Sequence, residues 1–404
     1  MSKAKWIFPL LLSAAATFAL YARPRETPRP APRFTGLGDL PGGTTISVAN
    51  GISADGKVVV GYSHSGISME AFRWTEADGL EGLGFPYAFA ASRDGSAVAG
   101  YRYIDDRIEP VRWTTEHHIE GLDPAGHYRD GAAYGISADG ETLVGVVGRG
   151  KMVRDSAFWW HRGEGLTPLA GVDGPEVRDE AHAVSADGRV VVGAWRNETG
   201  RNQAFRWTAE GGIVELGFLN GHTASVAYGV SADGSVIVGA SGDYGATEAF
   251  RWTAETGMVR LEPLDADRCD DSSYGHAAYS VSADGAVVVG RSTSKTGWNA
   301  VVWDARGRVR SVRELLVSSF QDRGRHDDSK NGDMHDRQRL RGWKLQTATA
   351  VSADGSVVVG SGVNPHGERE AWIARLGILA EGGGSKVARL GDQASCSVPA
   401  RKKG

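Results

Sequence analysis

Ser53-Ala-Asp-Gly56 decides how this sequence reads, because it returns as Ser137–Gly140, Ser185–Gly188, Ser231–Gly234, Ser282–Gly285 and Ser352–Gly355, with a degenerate seventh copy at Ser92-Arg-Asp-Gly95. The aspartates sit at 55, 94, 139, 187, 233, 284 and 354, so the steps are 39, 45, 48, 46, 51 and 70 residues. After each copy comes a β-rich run ending in glycine, such as Val58–Gly61 or Val236–Gly239. An aromatic stretch follows, as in Ala71-Phe-Arg-Trp74, Ala157-Phe-Trp-Trp160, Ala204-Phe-Arg-Trp207 and Ala249-Phe-Arg-Trp252. Asp-Gly between two β-rich runs is a strong hairpin signal and predicts positive φ at both central turn residues. The glycine after the valines reads as a bend that lets a loop leave the second strand. Phe and Trp two residues apart share a face and can fill the gap between neighbouring sheets. Several units then close on a weaker Gly-Leu or Leu-Gly segment. Four short strands repeated about every 40–50 residues make a β-propeller blade. Seven units predict an all-β, seven-bladed β-propeller of four-stranded blades.

Ring closure is legible too. Phe34-Thr-Gly-Leu-Gly-Asp-Leu40 looks like a fourth strand that precedes the first full unit. The last unit has three strands within Ala348–Leu376 and no convincing fourth. Pairing the two segments completes the last blade, three strands plus one, and removes a free sheet edge. The unit between Trp303 and Thr347 is interrupted, giving an insertion over 304–346. Ser311-Val-Arg-Glu314 is a capping box, and Val312, Leu315, Leu316 and Phe320 lie at helical spacing. A short helix over Val312–Gln321 on the propeller rim is expected, then a charged surface loop over Gln321–Arg341.

The ends carry a different composition. Residues 1–22 combine two lysines with the apolar run Trp6–Ala22, the pattern of a secretory signal, with an uncleaved anchor as the alternative. Residues 23–33 hold four prolines among arginines and read as an extended linker. The propeller is expected over 34–381 and a basic, disordered tail over 382–404. The chain is therefore read as secreted, periplasmic or displayed at the cell surface, and monomeric. Among its 404 residues, 41% hydrophobic and 23% charged support a packed core. The 56 glycines show no collagen period, and two cysteines cannot staple a chain this long. A net charge of −4 gives no reason to expect nucleic acid.

The unit Ser-Ala-Asp-Gly-x-x-Val-Val-Gly followed by Ala-Phe-Arg-Trp resembles the HAF repeat of exported bacterial repeat proteins. Gly342-Trp-Lys-Leu-Gln-Thr-Ala-Thr-Ala-Val-Ser-Ala-Asp-Gly355 strengthens the likeness, which covers Thr35–Leu376. The chain departs from the pattern in that Glu70, Ser156, Gln203 and Glu248 stand where histidine would precede Ala-Phe. The resemblance implies an exported propeller without an established enzymatic activity, and supplies no catalytic residue or cofactor.

The residues themselves offer few sites. The seven turn aspartates stand one per blade, too dispersed for a calcium site. Asp327-Asp-Ser-Lys-Asn-Gly332 matches the start of a calcium loop, but position twelve is Gln338, and His326 and His335 suggest only a weak transition-metal alternative. Recurrent Arg73, Arg112, Arg206 and Arg251 read as packing. Connectors before the innermost strands carry His127, Arg129, Asp130, Glu176, Asp179, His182, His222, Asp270, Asp271 and His276. Such loops line one mouth of a propeller, and His127, His222, His276, Asp130 and Asp179 are taken as its ligand-binding candidates. The expected function is a non-enzymatic propeller that binds a surface ligand, protein or glycan. The alternatives are a polysaccharide hydrolase or lyase, needing two mouth carboxyls about 5–10 Å apart, and a purely structural envelope component.

Overall fold

The Ser-Ala-Asp-Gly loop folds the same way in all seven places, and its geometry explains its residues. The glycine amide bonds the serine carbonyl at 2.9–3.0 Å, and the serine amide bonds the carbonyl five residues on, as in Ser53 to Val58 at 2.8 Å. The serine hydroxyl donates to the aspartate and accepts the amide five residues on, 2.6 and 2.9 Å at Ser53. The aspartate also accepts the amide two residues on, 3.1 Å at Lys57. The loop is thus built around a type I-like turn with glycine as its fourth residue. Only the glycines take positive φ, between 69° and 75°. The two-residue primed turn expected from the sequence is therefore corrected: the aspartate keeps negative φ and works as a side-chain acceptor.

The computed structural model describes residues 32–66, 68–116, 118–148, 155–169, 179–196, 199–243, 246–265, 275–326 and 337–376. The signal segment, all but the end of the linker, the calcium-like run with His335, Glu176, Cys269, Asp270, Asp271, Cys396 and the tail lie outside the described residues, as does the side chain of His326.

Seven four-stranded antiparallel sheets form the blades of a seven-bladed propeller. The innermost strands are Ser47–Ile52, Tyr87–Ala91, Asp130–Ile136, Glu180–Val184, Ser225–Val230, Ala277–Val281 and Lys344–Val351, each in contact with the next around the ring. Backbone hydrogen bonds knit the seven turns into a belt. Arg93 N–H reaches Ala138 C=O, and the series passes through Ala186, Ala232, Ala283 and Ala353 to Ala54, at 2.9–3.1 Å. It closes with a one-residue slip, Asp55 N–H to Arg93 C=O at 3.3 Å. Each turn glycine also meets the previous blade: a Cβ on Gly234 would stand 2.5 Å from Val190 Cγ2.

The Val-Val-Gly glycines do not bend the strand end, as the sequence suggested. They lie inside the second strand, opposite the innermost one. A Cβ there would stand 1.9–2.2 Å from an innermost-strand carbonyl oxygen, Val48 for Gly61 and Val226 for Gly239. Cores between blades are made of valines from one sheet and aromatics from the next. Val58, Val60 and Ala71 of blade 1 pack with Val98, Val111 and Trp113 of blade 2. Two of the four recurrent arginines bridge to the next blade: Arg73 and Arg112 donate from Nε to the turn carbonyls of Gly95 and Gly140, at 3.4 and 2.7 Å, whereas Arg251 Nε is buried without a partner among the described residues.

Arg33–Gly38 completes the last blade, antiparallel to Arg369–Arg375 with Phe34 opposite Ala374 and Thr35 opposite Ile373. Phe34 is fully buried, 5.2 Å from the Trp343 ring and 6.4 Å from Trp372. The capping box forms as expected: Ser311 N–H donates to Glu314 at 3.2 Å, and Glu314 N–H to the Ser311 hydroxyl at 3.1 Å. The helix runs further than anticipated, Val312–His326. Val312, Leu315, Leu316 and Phe320 enter the same core as Phe34, so the insertion seals the closing strand. Among the described residues no helix is long and apolar enough to cross a membrane.

Candidate functional site

Each innermost strand slips register three residues before the turn serine, leaving one residue unpaired there: Asn50, Phe89, Tyr134, His182, Tyr228, Tyr279 and Thr349; the strand of the last blade slips a second time, at Gln346. Bulges re-aim a side chain and are frequent beside functional sites. Two residues before each bulge, a carbonyl lies against the second strand, in the space that only the Val-Val-Gly glycine leaves open. The seven side chains thereby stand in one row around the axis, all half-buried. Phe89 lies edge-on to Tyr134 with centroids 5.0 Å apart, Tyr134 is 5.7 Å from His182, His182 5.3 Å from Tyr228, and Tyr228 5.4 Å from Tyr279. The two polar members bind backbone: Asn50 donates to Ala88 C=O at 2.8 Å and Thr349 to Ala49 C=O at 2.7 Å.

From this row the aromatic contacts climb to the connector-side mouth at both ends. On blade 2, Phe89 meets Tyr101 at 6.1 Å and Tyr101 meets Tyr103 at 5.8 Å, with Tyr103 62% exposed. On blade 6, the Arg291 guanidinium lies 5.7 Å from the Tyr279 centroid and 4.0 Å from that of Trp298. Burial is the main cause of the raised pKa of Tyr228 and of Tyr279, the latter pushed up to about 12, so both hydroxyls remain donors at neutral pH.

The histidines and carboxylates anticipated from the connectors are dispersed. His127 is exposed and bonds Asp123 through Nδ1 at 3.2 Å. Asp130 opens its strand opposite Gly148. Asp179 is buried and accepts the Arg196 amide at 2.9 Å, with burial holding its pKa above the usual carboxylate value. His222 and His276 are drawn towards one ion pair. His222 Nε2 is 3.9 Å from Glu248, which binds Arg260 at 2.8 Å, and that arginine helps depress His276. Their Nδ1 atoms bond Ser241 and Ser292 at 3.1 and 2.8 Å. His127 and Asp179 thus have local partners, His222 and His276 lie near one ion pair, and no described contact joins all five. Among the described residues, no three His, Cys, Asp or Glu side chains are placed to share a metal ion.

The bulge row was missed although it has a constant address, three residues before the serine of every turn. Five of those seven positions are aromatic, counting His182. His182 is pushed down to about 4 by burial, and His276 also to about 4 by burial and then by Arg260. The turn aspartates lie below the usual 3.8; at Asp233, Asp284 and Asp94 serine hydrogen bonds lead, and at the other four burial pulls upward but is outweighed by hydrogen bonds from serine and backbone amides together. The unfolded chain binds protons that both sets refuse when folded, so stability falls with falling pH in two stages. The histidine contribution is full above pH 6.5 and lost towards about 4; the aspartate contribution is full above pH 3.8 and lost below it. Thermal unfolding across pH should show both stages, His182→Gln should flatten the upper one, and a stability constant from pH 7 to 4 would contradict the assignment.

Two surface hollows lie off the axis. One of about 510 Å³ is lined by Arg112, Glu120, His118 and Arg162, and Arg112 there is already paired with Glu120 and Glu141. The other adjoins the closing strand at Trp343 and Glu370, whose carboxylate accepts the Gly38 amide at 2.9 Å.

No protein-family model matches the chain, and no curated protein does. Solved structures resemble it in fold. Oligogalacturonate lyase from Vibrio parahaemolyticus is 11% identical, with a TM-score of 0.50 over 86% of this chain and 97% of that one. TolB from Acinetobacter baumannii is 13% identical, with a TM-score of 0.44 over 67% of this chain. The chain spans 64% of that TolB's length.

Proposed function

We propose that this chain is an exported, non-catalytic binding module of the HAF-repeat kind, whose ligand enters the channel from the connector face and rests on the bulge row. The observation that carries this reading is the convergence of seven bulged residues, one from each blade, on a single axis. Convergent aromatic faces with a few polar groups are the make-up of a ligand pocket rather than of a packed core. What converges is rings, an amide and a hydroxyl, a set suited to holding a molecule. The secretory pattern of residues 1–22 supports a place outside the cytoplasm.

The test is a thermal-shift screen of the full chain against a library of oligosaccharides, peptides and small acids, repeated with a Tyr134→Ala/Tyr228→Ala variant. Compounds that stabilise the parent protein should lose their effect on the variant. Compounds that stabilise both equally would move the site elsewhere. Turnover of polysaccharide substrates would replace the reading with that of a hydrolase or lyase.

A further inference from the structure

Resting on the reading of the mouth as a binding site, we propose that it takes a ligand in which a carboxylate adjoins a six-membered ring with a face that can stack on an aromatic side chain, with Arg291 as the anchor for the carboxylate. Arg291 stands on the second strand of blade 6, between Ala277 and Ala300 of the flanking strands. Its guanidinium lies over the Trp298 ring at 4.0 Å and near Tyr279 at 5.7 Å. Stacking uses the faces of the guanidinium and leaves its edge, where the N–H donors lie, for a planar acceptor.

Among the described residues that edge meets no acceptor from the protein. Among the described residues no carboxylate lies within 4.0 Å of Arg291, and its buried Nε has no hydrogen-bond partner. Other arginines on this side of the blades are matched: Arg102 to Glu109 at 2.7 Å, Arg107 to the same carboxylate at 3.5 Å, Arg260 to Glu248 at 2.8 Å. A shielded donor without a partner costs stability, so an acceptor brought by a ligand is gained at full strength. A carboxylate matches the guanidinium fork with two parallel hydrogen bonds. The adjoining ring would lie against Tyr279 and Tyr228, whose hydroxyls stay protonated and can donate to it.

Glu180 sets the polarity of the site. It opens the innermost strand of blade 4, 3.6 Å from His182, and it acts on Tyr228 from the side opposite in sign to Arg291. The ligand's negative end is therefore directed to blade 6, away from blade 4. Two sources supply this chemistry, an aromatic acid or an acidic sugar.

Titration calorimetry on the full chain separates them, with benzoate and the methyl glycoside of glucuronic acid as probes. Benzyl alcohol and methyl glucoside are the uncharged controls. One acid should bind at least about tenfold more tightly than its control, as expected for a bidentate charged pair. Arg291→Lys, which keeps the charge but loses the fork, should forfeit most of that difference, and Glu180→Gln should strengthen binding of the same acid several-fold. The comparison of acid with control on the parent protein needs no variant, so it stands even if Arg291 variants fold poorly. Equal binding of acid and control overturns the proposal, as does the absence of binding by either acid. If the library screen still yields ligands sensitive to Tyr134 and Tyr228, only the carboxylate inference fails; if it yields none, the binding-module reading fails with it.

Discussion

Gly239→Ala is expected to lower the unfolding free energy by about 3 kcal/mol, near the upper end for an overpacked core. A Cβ at this position would stand 2.0 Å from the Val226 carbonyl oxygen and 2.8 Å from the Phe250 ring. Backbone cannot yield as a flexible side chain can, so the innermost strand must move and the Tyr228 bulge with it. Gly217→Ala is the control: its Cβ would meet nothing within 4 Å, although φ is +81°. The control therefore carries the backbone cost of a positive φ, about 1–2 kcal/mol, without the collision. Gly239 has no such φ, so the control sets a strict bar, and chemical denaturation should still show the larger loss for Gly239→Ala. Equal losses would mean that the bulge and its facing glycine are not coupled. In blade 5 the coupling also predicts weaker binding of any ligand that rests on Tyr228.

Phe34→Ala should cost about 3–5 kcal/mol, the range for truncating a buried phenylalanine. The ring is fully buried between Trp343 and Trp372 and shares a core with Leu316 and Phe320 of the insertion helix. The loss should be cooperative around the circle, because the last blade touches the first through the belt bond from Ala353 N–H to Ala54 C=O, 3.0 Å. Removing residues 1–40 goes further and exposes the edge of Arg369–Arg375. The truncated protein should self-associate, as unpaired edges do. Light scattering that shows a monodisperse monomer of full thermal stability would deny the closing strand its role.

Blade number, closure and the insertion helix were legible because each rests on a local pattern repeated in sequence. Seven turns count themselves, Phe34–Leu40 supplies the missing fourth strand, and Ser311 with Glu314 marks a helix start. The turn type was not legible, because Asp-Gly alone does not show the rest of the loop. In the structure Ser53 and Val58 bracket it, and Asp55 bonds the Lys57 amide. The bulge row was not legible for a related reason. Titratable residues draw attention wherever they occur, yet His127 and Asp179 answer to partners in their own blades. The informative residues were those at a constant offset from the turn, where aromatic identity varies and position does not. Val-Val-Gly held the matching clue, since a glycine in mid-strand marks close approach of another backbone.

The account stands on the claim that the bulged residues, unlike their neighbours, face a space that solvent and ligand can enter. Single cysteines placed at 50, 89, 134, 182, 228, 279 and 349, in a Cys269→Ser/Cys396→Ser background, test it through their rates of modification by a small methanethiosulfonate reagent. Cysteines in place of Ala49, Ala88, Ala133, Ala181, Ala227, Ala278 and Ala348, each fully buried one residue earlier, serve as references. The account predicts that all seven bulge positions react faster than their references. Bulge cysteines as inert as the buried alanine positions, or reactive in some blades and silent in others, would contradict a ligand channel built from one residue per blade.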